Sequence, residues 1–122
     1  MFRFEKLDVW RKAVNFADQV YAVTGTFPSD ERFGLTSQMR RASVSISSNI
    51  AEGSGRKSDK DFIHFLQIAY GSLMEVLSQA QIAQRQSLVG VETRDELYKL
   101  GEELARMLSG LRKSLQQNTS AS

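Results

Sequence analysis

An unbroken heptad repeat of small and apolar side chains between residues 62 and 83 restricts the fold more than any other feature. Steps of four and three residues place one seam on one face of a helix, which we expect over residues 59–86. A second heptad predicts another helix over residues 92–116. The two seams are Phe62, Leu66, Ala69, Leu73, Val76, Ala80 and Ala83, then Leu97, Gly101, Leu104, Leu108, Leu111 and Leu115.

Two shorter amphipathic segments come before these seams. The first predicts a helix over residues 8–24, and the second a helix over residues 35–51 that Gly53 and Gly55 end. The first helix has two adjacent apolar stripes, more than one neighbouring helix covers, so we expect the spare stripe to pack on another subunit. The stripes are Leu7, Trp10, Val14, Ala17, Tyr21 and Thr24, and Val9, Ala13, Phe16, Val20 and Val23.

No segment alternates with period two, and the chain has no hairpin dipeptide such as Asn-Gly. Four amphipathic helices with short connections bury their seams only against one another. We therefore predict an all-α, antiparallel up-down-up-down four-helix bundle that forms one domain over residues 1–116. Residues 117–122 are polar and are expected to form a frayed tail.

The composition excludes cysteine chemistry and leaves no obvious catalytic residues. The 122 residues include no cysteine, so thiolate sites and iron–sulfur clusters are excluded. Since His64 is the one histidine, most zinc sites are excluded as well. We therefore expect no cofactor, no metal, no small-molecule substrate and no enzymatic activity. The chain has neither a secretory signal at its start nor about 18 consecutive apolar residues, so we expect no membrane partner and a bacterial-type cytoplasmic location.

Four serines between residues 43 and 48 lie in the second predicted helix, although serine is a poor residue for helix interiors. Two explanations stay open: close packing between helices, or a polar interface with another chain or ligand. Asn49 and Glu52 follow beside core positions. We expect structural hydrogen bonds from them, and an enzyme would need a deep polar pocket there.

Charge is unevenly distributed in a chain whose net charge is only +2. Residues 32–60 carry a local charge of +4, whereas residues 92–103 carry −3. The basic cluster flanks the Gly53-Ser54-Gly55 loop, before a helix N-terminus that attracts anions. The alternative is an ordinary solvated surface. The candidate phosphate contacts are Arg40, Arg41, Arg56, Lys57 and Lys60.

Several sequence blocks occur together in a fixed order: LDVWRKA (7–13), FP (27–28), ERFGLTSQMRRA (31–42), SI (45–46), NIAEG (49–53) and GSL (71–73), with Arg56, Ser58, Phe62, Phe65, Leu66, Ala69 and Glu75. In these blocks the chain resembles the 23S rRNA-intervening-sequence proteins, a family of S23-like four-helix bundles. The resemblance implies an antiparallel bundle that assembles as a homopentameric ring and has no known enzymatic activity. A similar bundle, the accessory protein of diversity-generating retroelements, is a more basic ring that binds nucleic acid.

Residues and resemblance together predict a non-enzymatic, ring-forming protein that acts as a nucleic-acid (RNA or DNA) binding or scaffold module. The alternative is a protein-binding adaptor with no affinity for nucleic acid. The adaptor predicts an electrostatically mixed surface and a partner docked on an apolar patch.

Overall fold

The computed structural model describes the backbone of residues 1–121 and the side chains of residues 1–118. Four helices account for most of it: α1 (Asp8–Thr24), α2 (Leu35–Ser54), α3 (Asp59–Arg85) and α4 (Val91–Ala121). Short 3₁₀ turns at Arg3–Lys6 and Ser29–Glu31 precede α1 and α2. No strand occurs in residues 1–121, which confirms the all-α prediction.

Within the chain, each helix packs against the helices before and after it in sequence, and α4 also packs against α1, which closes the four-helix bundle. Along each neighbouring pair, rising residue numbers in one helix meet falling numbers in the other, so every pair is antiparallel. The contacts that show this join Arg3 to Ser54, Thr24 to Arg40, Ser45 to Ser72, Gly53 to Phe62, Leu77 to Gly101, Gln81 to Arg94 and Lys12 to Glu103.

The core follows the predicted seams closely. All seven seam residues of α3 are buried, and so are the seam residues of α4 except Leu111, which is half-buried. The inner stripe of α1 and the apolar face of α2 complete the core with Val9, Ala13, Phe16, Val20, Met39, Ala42, Ile46 and Ile50. Burial of these apolar side chains away from water is what holds the four helices together.

The outer stripe of α1 is only partly covered within one chain. Trp10 packs edge-to-face on Phe4, with ring centroids 4.9 Å apart. Val14 and Ala17 are half-buried, and Tyr21 is 45% exposed. Thr24, at the end of the stripe, is buried. The chain therefore leaves an apolar strip along α1 that its own helices do not fill.

The expected end of α2 is wrong by one turn. Gly53 lies inside α2, which continues to Ser54, and Gly55 follows as the C-cap with a φ of −89°. A Cβ on Gly53 would lie 2.7 Å from the Phe65 Cβ and 2.8 Å from a Phe62 ring carbon. Glycine is needed here because the α2 backbone passes close to α3, not because a positive φ ends the helix.

Helix α3 ends one residue earlier than expected, at Arg85, and α4 begins one residue earlier, at Val91. The Ser58 hydroxyl accepts a hydrogen bond from the Asp61 backbone N–H at 3.1 Å and so caps α3. Helix α4 runs beyond Gln116, and the backbone stays helical to Ala121. Ser122 and the side chains of residues 119–122, part of the expected polar tail, lie outside the described residues.

Candidate nucleic-acid interface

The serine-rich part of α2 forms hydrogen bonds within α2 and across to α3. The Ser45 hydroxyl lies 2.9 Å from the Ser72 hydroxyl on α3, and the Asn49 amide donates to the Ser45 carbonyl at 2.8 Å. Ser43 is fully buried and donates to the Arg40 carbonyl. Close packing thus explains Ser43 and Ser45, whereas Ser48 is exposed and keeps the second explanation open.

Glu52 is a surface residue. Its side chain is 56% exposed, and one carboxylate oxygen lies 3.0 Å from the Arg56 guanidinium one turn later. An exposed pair of this kind contributes little to stability. The carboxylate has none of the enclosed polar surroundings that acid–base catalysis uses.

Arg40 is held by α1 and is the candidate least able to reach a ligand. Its Nε donates to the Thr24 hydroxyl at 2.8 Å, and a terminal nitrogen lies 3.4 Å from the Tyr21 carbonyl oxygen. The guanidinium also stacks over the Tyr21 ring at 4.5 Å. These contacts tie α2 to the last turn of α1 through the Thr24 hydroxyl, the Tyr21 carbonyl and the Tyr21 ring. Arg40 is therefore better explained as a structural residue.

The structure does not bring the other four candidates into one site. Arg41 lies in the first half of α2, whereas Arg56, Lys57 and Lys60 surround the α2–α3 turn. Fifteen residues separate Arg41 from Arg56, about 22 Å along a helix axis. The Arg56 guanidinium stacks over Phe65 at 4.7 Å. The turn cluster of Arg56, Lys57 and Lys60 is thus a separate patch at one end of the bundle.

Arg3 joins this end of the bundle, although nothing in the sequence pointed to it. A terminal nitrogen donates to the Ser54 carbonyl at 3.3 Å, and the guanidinium lies 5.1 Å over the Phe62 ring. Arg3 and Ser54 are 51 residues apart in the chain. No local pattern in the sequence signals such a contact, because it depends on how the first turn folds back across the bundle.

One end of the bundle carries a net positive charge, whereas the rest of the chain carries a net negative charge. The end made by residues 1–11, 50–64 and 104–118, here called the basic end, has nine basic and five acidic residues, and the rest of the chain has seven basic and nine acidic residues. The basic side chains of this end are Arg3, Lys6, Arg11, Arg56, Lys57, Lys60, Arg106, Arg112 and Lys113. A net charge of +2 therefore conceals a strongly asymmetric field.

His64 is an exposed residue on α3 whose ring packs edge-on against Phe65, with centroids 5.8 Å apart. Within the described residues, no group of three or more His, Cys, Asp or Glu side chains is placed to hold a metal ion. Across the described helices, none is both long and apolar enough to cross a membrane.

Comparison with known proteins agrees with the fold. The family model described as 23S rRNA-intervening sequence protein matches residues 5–110. The chain belongs to this family. A crystal structure of a protein with unknown function from the S23 ribosomal protein family of Bacteroides thetaiotaomicron superimposes with a TM-score of 0.79. The two chains are 24% identical, and the match covers 86% of this chain and 98% of the other. No curated protein matches the chain.

The family match includes α1 to α3 and most of α4. Turn residues Arg56, Lys57 and Lys60 lie inside the matched range, as do Arg40 and Arg41. Arg112 and Lys113 lie beyond it. The basic end is thus built partly from residues that the family model does not reach.

Proposed function

We propose that the protein is a non-enzymatic binding or scaffold module that assembles as a homo-oligomeric ring and contacts nucleic acid through its basic end. The observation that carries this proposal is the separation of charge along the bundle. Nucleic-acid affinity depends mainly on neutralising backbone phosphates with lysine and arginine. Because the family is named for 23S rRNA-intervening sequences, RNA is the first ligand to test.

The turn cluster supports phosphate contacts at this end. Lys57 and Lys60 are exposed and take part in none of the four ion pairs between described residues. Arg56 shares its charge with Glu52 but leaves part of its side chain open to solvent. One chain provides few such contacts, whereas a ring repeats them around an axis and multiplies the local potential.

The open strip on α1 supports assembly. Trp10, Val14, Ala17 and Tyr21 form a partly exposed apolar surface that a second copy would bury. Five copies is the number that the family resemblance implies. Light scattering after size exclusion tests it: the native chain should elute as an oligomer, and Ala17→Arg should shift it toward the monomer. Gln86→Arg, on an exposed connection, adds the same charge and should leave the oligomer intact.

Nucleic-acid binding is tested by fluorescence anisotropy with a labelled RNA and a labelled DNA over a series of salt concentrations. The double variant Arg56→Glu/Lys57→Glu should weaken binding and reduce the slope of log affinity against log salt by roughly 0.7–0.9 for each phosphate that is no longer neutralised. The control Arg85→Glu/Lys99→Glu makes the same charge change outside the basic end. Equal weakening in both variants, or no binding by the native protein at low salt, would contradict the proposal.

A protein-binding adaptor is the second candidate, and Phe33 favours it. This residue lies in the connection between α1 and α2 with 89% of its surface exposed, beside Arg32. A large aromatic side chain left open to water is typical of a protein contact. An adaptor of this kind should lose its partner on Phe33→Ser and should show no affinity for RNA or DNA.

A further inference from the structure

A groove of about 280 Å³ lies between α3 and α4. Leu66 and Leu108 contribute its most buried lining and are at most 2% exposed. Polar side chains line the rest of it: Gln67, Tyr70, Ser109 and Arg112. The groove thus combines an apolar base with hydrogen-bonding groups, the combination that small planar ligands and bases need.

A second groove, of about 310 Å³, adjoins the first along the same pair of helices. Tyr70 and Ser109 line both grooves, so they form the boundary that the two share. The second groove adds Ala105, Arg106, Gly110 and Lys113. Tyr70 is 40% exposed, and its hydroxyl has no hydrogen-bond partner among the described residues. Each of the two grooves that Tyr70 borders therefore also has a cation of α4 in its lining.

These cations lack acidic partners in the described part of the chain. The four ion pairs there involve none of Arg106, Arg112 and Lys113. No aspartate or glutamate occurs in residues 62–74 of α3 or 104–118 of α4. The Arg112 Nε is buried without an acceptor. Since buried N–H donors are nearly always satisfied, this lone donor marks Arg112 as incompletely hydrogen-bonded within the chain.

The surface formed by Tyr70, Arg106, Ser109, Arg112 and Lys113, here called the α3–α4 face, fits one kind of ligand best. Single-stranded nucleic acid offers flat bases and regularly spaced phosphates, and its binding sites combine aromatic platforms with basic grooves. A duplex keeps its bases stacked inside and cannot place one on Tyr70. An acidic peptide matches the cations, but its carboxylates make no use of the exposed aromatic ring.

We propose that the α3–α4 face binds single-stranded nucleic acid, with one base stacked on Tyr70 and backbone phosphates on Arg106, Arg112 and Lys113. This inference rests on the proposed function and places a contact surface away from the residues that the sequence singled out. In the sequence, Tyr70 was not among the candidate phosphate contacts, and the fourth helix showed only a leucine-rich heptad. The signal that could have revealed the face is the absence of acidic residues from two helical segments that lie side by side.

The test measures anisotropy of labelled single-stranded RNA, single-stranded DNA and duplex DNA. Tyr70→Leu should weaken single-strand binding roughly tenfold, since stacking on an aromatic residue contributes about that much per base, and should leave duplex binding unchanged. Tyr70→Phe keeps the ring and should bind like the native protein. Arg106→Gln/Lys113→Gln should lower the salt slope by about 1.4 for single strands.

Matched variants make the result decisive. Arg85→Gln/Lys99→Gln removes two charges outside the basic end and should not change single-strand binding. Arg106 and Lys113 are exposed, so their replacement tests the face independently of any effect of Tyr70→Leu on folding, which circular dichroism measures.

The outcomes separate this inference from the proposed function. If the native protein binds no nucleic acid, both are wrong. If Arg56→Glu/Lys57→Glu weakens binding while Tyr70→Leu and Arg106→Gln/Lys113→Gln bind like the native protein, the α3–α4 face is wrong and the proposed function stands. Equal binding of a poly-glutamate peptide, unaffected by Tyr70→Leu, would assign the face to an acidic protein partner and overturn the inference.

Discussion

Replacing Gly53 with alanine tests how closely α2 passes α3. The added methyl group would lie 2.7 Å from the Phe65 Cβ and 2.8 Å from a ring carbon of Phe62. Neither neighbour is free to move, because the Phe65 Cβ is attached directly to the α3 backbone and the Phe62 ring is only 1% exposed. The two helices would have to separate locally.

The expected magnitude follows from two opposing effects. Overpacking a tightly packed core costs about 1–3 kcal/mol, and two fixed neighbours favour the upper part of that range. Alanine is the better helix former, which returns about 0.5–1 kcal/mol. We therefore expect Gly53→Ala to lower the free energy of unfolding by about 2 kcal/mol.

Three other helical glycines complete a graded series. Alanine at Gly101 would meet the Leu77 Cδ2 at 2.7 Å, but that atom is the end of a half-buried side chain that rotates at small cost. Alanine at Gly71 or Gly110 meets no other side chain or element within 4 Å and should stabilise the helix by about 0.5–1 kcal/mol. Gly110→Ala and Gly71→Ala should therefore be more stable than the native protein. Gly101→Ala should be less stable than these two variants, and Gly53→Ala should be the least stable of the series.

Urea unfolding followed by circular dichroism measures this series, with all variants at one protein concentration because assembly also contributes to stability. A lower urea midpoint for Gly53→Ala with an unchanged slope is the expected result. A Gly53→Ala variant as stable as the native protein, alongside a stabilised Gly110→Ala, would refute the close approach. It would restore the interpretation of Gly53 as a simple helix end.

Two further substitutions test local contacts. Arg40→Ala should destabilise the protein by about 1–2 kcal/mol, because it removes charged hydrogen bonds to Thr24 and Tyr21. The control Arg41→Ala, at the next position, should change stability by less than about 0.5 kcal/mol. Equal effects of the two variants in urea unfolding would contradict a structural role for Arg40. Ser58→Ala removes the N-cap of α3 and should cost about 1 kcal/mol, with Ser58→Asp restoring most of it in the same measurement.

Helix number and core composition were predictable from the sequence because they depend on periodicity alone. The seam from Phe62 to Ala83 is buried as expected. Apolar residues spaced by three and four positions lie on one face of a helix, and that face is removed from water only by packing against other helices. The Ser58 cap was predictable for a similar reason, because its hydrogen bond reaches only three residues along the chain.

The end of α2 was not predictable in this way. Glycine near a helix end usually indicates a stop, but at Gly53 a neighbouring helix makes the missing Cβ necessary. Arg40 was likewise assigned to a ligand, although its guanidinium is already bound by the last turn of α1. Both cases depend on which side chains another helix brings close, and this information is absent from any single segment.

The chain by itself determined its four helices, their inward faces and its lack of thiol chemistry, because composition and spacing act locally. Tertiary structure decided which charges meet. It separated Arg41 from the turn cluster of Arg56, Lys57 and Lys60, brought Arg3 to the end of α2, and set Tyr70 beside the cations of α4. Electrostatic and stacking sites depend on distances in space, and packing of the helices fixes those distances.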